Sequence, residues 1–478
     1  MERIIRNKKI SLILVGALVL GVLSGCQSGT NAGTEEGYSE EATDNNSDNN
    51  NSGNKNSDSG SGDIGSDNKD ADDKESESDK SGDEAEASQY VIPEVTMEKY
   101  DIPDTEDFQF VRDMKIGFSL GNTFDAFVDG SSLKDDMDTE TAWQSNVTVE
   151  QNIKDFHAAG FETVRIPVSW HNHFTDDDYT INEKWMARVH EVVDWAIDDG
   201  MYVIINIHHD NHEAANAFYP DSEHLEQSKH YIERIWTQLS EEFKDYDDKL
   251  IFEAMNEPRL VDTEYEWWLK NSADECKDAV ECINVLNQTF VDTVRATGGN
   301  NATRYLMCPG YDASADGALN SGFVLPEDPT NKADSSGTPE DNDVGNRLLV
   351  SVHAYTPYDF ALDINGTSHF DASKKNCTAD IDTFMDKLYT KFIAQGVPVV
   401  IGEFGALAKK NIKKEDNVQE RVDYSAYYIA AARARGMTCL WWDNNSFSGN
   451  GENFGLYYRT GCYFVYQDIV DALMKYAE

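Results

Sequence analysis

Two glutamates in this chain stand where a surface carboxylate would not normally be found. Glu257 follows the apolar stretch 250–255 within Asn256-Glu257-Pro258, and Glu403 follows 398–401 within Gly402-Glu403-Phe404-Gly405. An isolated glutamate is usually a solvated surface charge; one that closes a strand-like apolar run is harder to place on an open face. Two carboxyl groups brought together can divide the work of an acid and a nucleophile, one protonated and one ionised. Other polar residues recur at equivalent places. They are Gly121-Asn122-Thr123, Arg165 within Val164-Arg165-Ile166-Pro167, His208-His209-Asp210, His353-Ala354-Tyr355-Thr356-Pro357, and Trp441-Trp442-Asp443-Asn444. A guanidinium can hold a carboxylate ionised, an imidazole can move a proton, and an indole can stack on a flat ligand. One polar residue after one strand means little, but seven such cases argue for a shared pocket.

Each of these residues also has an ordinary reading. Arg165 could serve a structural ion pair. The run His208-His209-Asp210-Asn211-His212 could bind zinc, but it lacks the helical His-x-x-x-His spacing. Strand alternation sends Trp441 and Trp442 to opposite faces, so only one need face a pocket. Trp143, Trp170, Trp267, Trp268 and Tyr358 suit platforms for a flat ligand, and ordinary packing at least as well.

The elements that would position these residues follow from the hydrophobic pattern. Short β-branched or apolar runs occupy 115–120, 163–168, 202–207, 250–255, 304–308, 348–352, 398–401 and 438–441. Amphipathic stretches at 149–159, 183–199, 225–243, 277–295, 381–395 and 418–435 lie between them, and 467–476 reads as a closing helix. Gly160, Gly200 and Gly436 follow three of the helical stretches, as helix C-caps do. Eight strands alternating with helices predict an α/β fold, a (β/α)8 TIM barrel, whose strand ends converge on one face. A doubly wound sheet is the alternative, and it lacks a glycine-rich dinucleotide turn after its first strand.

The 478-residue chain carries a formal charge of -48. That balance excludes a basic nucleic-acid footprint and disfavours polyanionic substrates, while leaving a neutral ligand unaffected. Residues 1–25 read as an export signal: Arg3, Arg6, Lys8 and Lys9 precede a short apolar stretch. Leu23-Ser24-Gly25-Cys26 resembles a bacterial lipoprotein cleavage site, which implies acylation of Cys26 and a membrane anchor at the cell surface. Residues 26–90 are rich in Ser, Asn, Asp, Glu and Gly, too polar to fold, and would act as a flexible spacer of ~45 Å. Residues 91–478 form the predicted catalytic domain. Of the later cysteines, Cys308 and Cys439 fit buried free thiols, and Cys276 with Cys282 leaves a bridge open.

Taken in order, the motifs from about residue 115 to 444 resemble family 5 glycoside hydrolases of the cellulase superfamily. Gly117-x-x-x-Gly121-Asn122-Thr123 and the His208-His209 pair resemble its subfamily 4, endo-β-1,4-glucanases that include xyloglucan- and mixed-linkage-glucan-active members. Phe118 and Ser119 depart from the pattern, where relatives often have Trp and Asn. The resemblance implies a retaining, endo-acting enzyme with Glu257 as general acid/base and Glu403 as nucleophile. By the same resemblance, Asn256 bonds the sugar 2-OH, Arg165 and Tyr355 hold Glu403, and His353 serves Glu257. His208, His209, Asn122 and Trp442 are expected to bind the sugar chain. A β-glucan is the implied partner, with no cofactor, metal, nucleic acid or protein partner. A surface glycan-binding lipoprotein without catalysis is the competing class, and it has no need of a second carboxylate with an arginine aimed at it.

Overall fold

The computed structural model describes residues 90–128, 137–211, 217–330, 346–410, 413–449 and 451–478. The signal and most of the spacer predicted above, together with Cys26 and His212, lie outside these residues. Among the described residues eight strands build one closed sheet: β1 Ile116–Leu120, β2 Thr163–Ile166, β3 Tyr202–Asn206, β4 Leu250–Glu253, β5 Leu306–Ser314, β6 Leu348–His353, β7 Val399–Phe404 and β8 Thr438–Asp443; Tyr457–Tyr458 and Tyr463–Phe464 form a separate two-stranded sheet. Each pairs in parallel with the next, and β8 pairs with β1, closing the barrel. Closure rules out the doubly wound sheet, which would leave two open edges.

The strands read as unbroken apolar runs because both of their faces are buried. Outward side chains such as Phe118, Val164, Phe252, Val350 and Trp441 join the large core beneath the helices. These helices are α1 Glu106–Asp113, α2 Glu150–Ala158, α3 Glu183–Asp198, α4 Leu225–Glu242, α5 Asp274–Ala296, α6 Ala315–Leu319, α7 Tyr358–Ala361, α8 Lys375–Lys391, α9 Val418–Ala434 and α10 Gln467–Lys475. In α3 the buried residues Trp185, Val189, Val192, Val193 and Ala196 fall on one stripe at helical spacing. Phe118 stacks on Phe156, so this departure from the family pattern repacks the outer layer rather than the pocket.

Inward positions tell a different story. Ile204, Ile251, Met307, Leu349, Val400 and Leu440 form a separate cluster inside the barrel with Val111 of α1 and Met114 just beyond it. α1, which the hydrophobic pattern did not reveal, thus plugs the end of the barrel where the strands begin. Above this apolar layer the inward residues become polar: Ser119, Arg165, Asn206, Glu253 and Ser351 are all fully buried. The strands' C-terminal ends carry the rest of the site.

Two further features bear on the whole chain. Residues 91–100 form a strap without regular structure across α9 and α10. Gln419 bonds both the N–H and the carbonyl of Val91, Tyr476 bonds Val95 and Pro93, and Tyr100 N–H reaches the Ala434 carbonyl. All six described cysteines are unbridged, and five are buried. Cys276 and Cys282 both lie on α5, six residues and about 240° apart around its axis, so the bridge left open by the sequence does not form.

Candidate active site

Arg165, projecting inward from β2, organises the site. Its Nε donates to Glu253 Oε2 at 2.8 Å, Nη1 to Glu403 Oε1 at 2.7 Å, and Nη2 to Asn256 Oδ1 at 2.7 Å. Burial opposes its charge, but Glu253 and Glu403 outweigh that and raise its pKa further. Glu253 also accepts from Asn206 Nδ2 at 2.9 Å and from Ser351 Oγ at 2.6 Å. Burial works against its ionised form too, yet Arg165, His353 and Ser351 lower it to about 2. Leaving one charge of such a buried set unpaired typically costs about 3–5 kcal/mol.

Glu403 and Glu257 face each other across the mouth. An oxygen of each and a ring nitrogen of His353 all lie within 4.8 Å of one another. Glu403 accepts from Arg165 and from the Tyr355 hydroxyl at 2.8 Å. Glu257 Oε1 pairs with His353 Nδ1 at 2.8 Å. Burial and the Glu257 charge together raise Glu403, against the pull of His353 and Arg165. Arg165 and Tyr355 do pull Glu403 down, as the sequence leads one to expect, but burial and the facing carboxylate outweigh them. For His353, burial is overcome by Glu403, Glu253 and Glu257, which lift it to about 10. His353 and Glu257 therefore hold one proton between them through neutral pH, and its place along the 2.8 Å bond belongs to the pair rather than to either residue.

Around this pair the remaining predicted residues take distinct places. Asn256 gives its Oδ1 to Arg165, leaving its Nδ2 group to donate to a ligand. His208 Nδ1 faces Asn206 Nδ2 at 3.2 Å, which assigns it as the acceptor and puts the ring proton on Nε2. Burial, with His209 and Arg165 nearby, lowers His208 well below the usual histidine range, so the ring is neutral. Trp442 faces the mouth and lies parallel to the His208 ring, 5.8 Å between centroids, while Trp441 points outward into the core. Gly121 makes this possible: a Cβ there would lie 2.6–2.8 Å from the Trp442 ring carbons. His209 sits at the rim beside Trp143, which is exposed, and Phe127. Asn122 occupies a left-handed turn, φ 56°, with its N–H on Asp125. Trp170 is buried in the core, so it is no platform; Trp267 and Trp268 are exposed.

Within the His208 run, Asp210 and Asn211 are engaged elsewhere. Asp210 accepts from the N–H groups of Trp170 and His171 and from the His171 ring, and Asn211 Nδ2 bonds the Arg259 carbonyl. Two three-donor groups do exist among the described residues, Asp125 with His208 and His209, and Glu257 with His353 and Glu403. Sequence reasoning missed Glu253, Asn206 and Ser351, each a lone polar residue within a run that otherwise reads as apolar. It also missed Arg259, whose Nη1 lies 3.5 Å from Glu257 Oε2.

A closed parallel barrel with two close carboxyl groups at its C-terminal mouth, an arginine beneath one and aromatic rings at the rim is the architecture of a barrel glycoside hydrolase. Residues 128–448 match the family model described as cellulase (glycosyl hydrolase family 5). The chain is 42% identical over 377 residues to endoglucanase B of Neocallimastix patriciarum, covering 77% of this chain and 71% of that one. It is similar to the structure of a family 5 lichenase from Caldicellulosiruptor sp. F32, with 50% identity, TM-score 0.76, and coverage of 82% of this chain and 100% of the other. It is also similar to a GH5-4 broad-specificity endoglucanase from Ruminococcus champanellensis with bound cellotriose, with 39% identity, TM-score 0.68, and coverage of 78% and 100%. The chain belongs to glycoside hydrolase family 5.

Proposed function

We propose that this enzyme cuts β-1,4-linked glucan backbones internally by double displacement, with Glu257 as acid/base and Glu403 as nucleophile. The observation that carries this reading is the separation of the two carboxyl groups, with an oxygen of each within 4.8 Å. Retaining enzymes use about 5–5.5 Å, whereas inverting enzymes need about 6.5–9.5 Å to admit a water. In the first step Glu403 attacks the anomeric carbon while Glu257 protonates the departing oxygen. In the second, Glu257 takes a proton from water, which displaces Glu403 from the sugar. Asn256 Nδ2 is placed to donate to the 2-OH, Trp442 to stack on the ring at the cleavage point, and neutral His208 to donate from Nε2. His209 and Asn122 extend the sugar contacts along the rim. The lichenase and the cellotriose-bound endoglucanase among the relatives support a β-glucan substrate.

The stereochemical outcome tests the mechanism. Proton NMR of an early digest of a β-glucan should show β-anomeric reducing ends before mutarotation. Initial α-anomer would require a water nucleophile and remove Glu403 from its role.

The N-terminal signal, residues 1–25, supports export, and the acylated Cys26 would tie the 26–90 spacer to the membrane, leaving the 91–478 domain free to meet polymer. One acyl chain binds a bilayer only marginally, and lipoproteins of the type this N-terminus resembles carry more than one. Cys26→Ser should move active enzyme into the medium or stall its processing; unchanged membrane fractionation would refute the anchor.

A further inference from the structure

The turn that carries Glu257 also delivers a second cation to it. Glu257 Oε1 meets His353 Nδ1 at 2.8 Å, and Oε2 lies 3.5 Å from Nη1 of Arg259. The same Nη1 donates to the Glu257 carbonyl oxygen at 2.9 Å, tethering the guanidinium to the strand end that bears the carboxyl. Arg259 does not belong to Glu257 alone. Its Nε lies 3.6 Å from Glu266 Oε1 and 3.9 Å from Asp312 Oδ1, and makes no hydrogen bond among the described residues. The Trp267 ring covers the guanidinium at 4.0 Å.

Asp312 is held there at a cost. Asp312 and Ala313 both adopt left-handed backbone, φ 57° and 44°, where β5 loses its register with β6. Non-glycine residues are disfavoured in that region, so the surrounding structure must hold them, and the Asp312 N–H on the Pro258 carbonyl at 2.8 Å is one such contact. The arrangement makes chemical sense. A guanidinium closed on Glu257 in a short two-point pair would keep that carboxyl ionised and unable to act as an acid. Shared among the carboxyl groups of Glu257, Glu266 and Asp312, the last of which burial and the Glu257 charge push well above the usual carboxyl range, it stays near Glu257 without closing on it.

We propose that Arg259 is a positioning residue for proton transfer by Glu257: it steadies the carboxyl against His353 and stabilises the charge left on it as the proton passes to the leaving oxygen, while Asp312 and Glu266 hold the guanidinium back. This role rests on the assignment of Glu257 as acid/base. It matters only when the leaving group needs a proton. An aglycone that departs as a stable anion gains nothing from it.

Aryl β-cellobiosides with leaving groups from phenyl to 2,4-dinitrophenyl make the test. kcat/KM is measured for the full-length chain and for Arg259→Ala, Arg259→Lys and Glu257→Gln. Folded sites are counted by the dinitrophenolate released from 2,4-dinitrophenyl 2-deoxy-2-fluoro-β-cellobioside. In that step the Glu403–anomeric carbon bond forms as the carbon–aryloxide bond breaks, and no proton is needed. Glu257→Gln should lose about 10²–10⁴-fold on the phenyl substrate and little on the dinitrophenyl one. Arg259→Ala should lose about ten-fold on phenyl, the size of one pKa unit of charge stabilisation, with Arg259→Lys recovering part. On dinitrophenyl, both Arg259 variants should stay within about two-fold of wild type. Equal losses across the series, or no loss on phenyl, would overturn the role of Arg259. If Glu257→Gln itself shows no dependence on the leaving group, the assignment of Glu257 fails first, and Arg259 falls with it.

Discussion

Glu403 is the residue through which pH should reach catalysis. As a nucleophile it must be ionised, and burial and the Glu257 charge raise it above the ordinary glutamate range. A raised carboxyl gains its proton at higher pH than usual, so activity is retained above that pKa and lost as pH falls through it. The acid limb of kcat/KM should therefore lie at higher pH than the titration of an unperturbed glutamate. Glu257→Gln removes one of the raising charges, so on a dinitrophenyl cellobioside the limb should move to lower pH; a limb that stays put or rises would contradict the coupling. At this scale the sequence was informative where a residue ends a strand. Arg165, His353, Tyr355, Glu257 and Glu403 meet as expected because the barrel gathers strand ends. Glu253 escaped notice because the apolar run read from the sequence continues past it to residue 255, and its partner is 88 residues away on β2. Arg259 escaped because it lies past Pro258, in a loop where an arginine carries no spacing signal.

Among the elements, the eight strands were legible because continuous β-branched runs have few other uses, and most of their bounds hold within about two residues. β5 is the exception. It runs on from Cys308 through Pro309 and Gly310 to Ser314, two residues that read as a stop, and the extension brings Asp312 to Arg259. α1 was invisible because an eight-residue helix with Phe108 and Val111 as its buried apolar residues shows no period. The turn after β1 offers the sharpest test of element geometry. Gly121→Ala places a methyl against the rigid Trp442 indole, and overpacking of this kind costs about 1–3 kcal/mol. Because the ring must tilt away from His208, KM for cello-oligosaccharides should rise several-fold, to about ten-fold. A lowered melting temperature with unchanged KM would show that Trp442 does not bind the sugar.

Over the whole molecule, one end of the barrel is closed by α1 and the other is given to chemistry, and the strap at residues 91–100 ties the first described segment to α9 and α10, the last two helices. The strap was not legible in the sequence, since its bonds run mostly between backbone and the side chains of Gln419 and Tyr476. The cysteines carry a different consequence. Export usually favours disulfides, yet nothing covalent crosses between the described elements. Burial drives the Cys308 and Cys439 thiols up and Cys282 up to about 11, so these sulfurs behave as small apolar side chains. The barrel therefore contains no bond that a reductant can break or an oxidant must make. Among the described elements, redox poise has no cross-link through which to act on the fold.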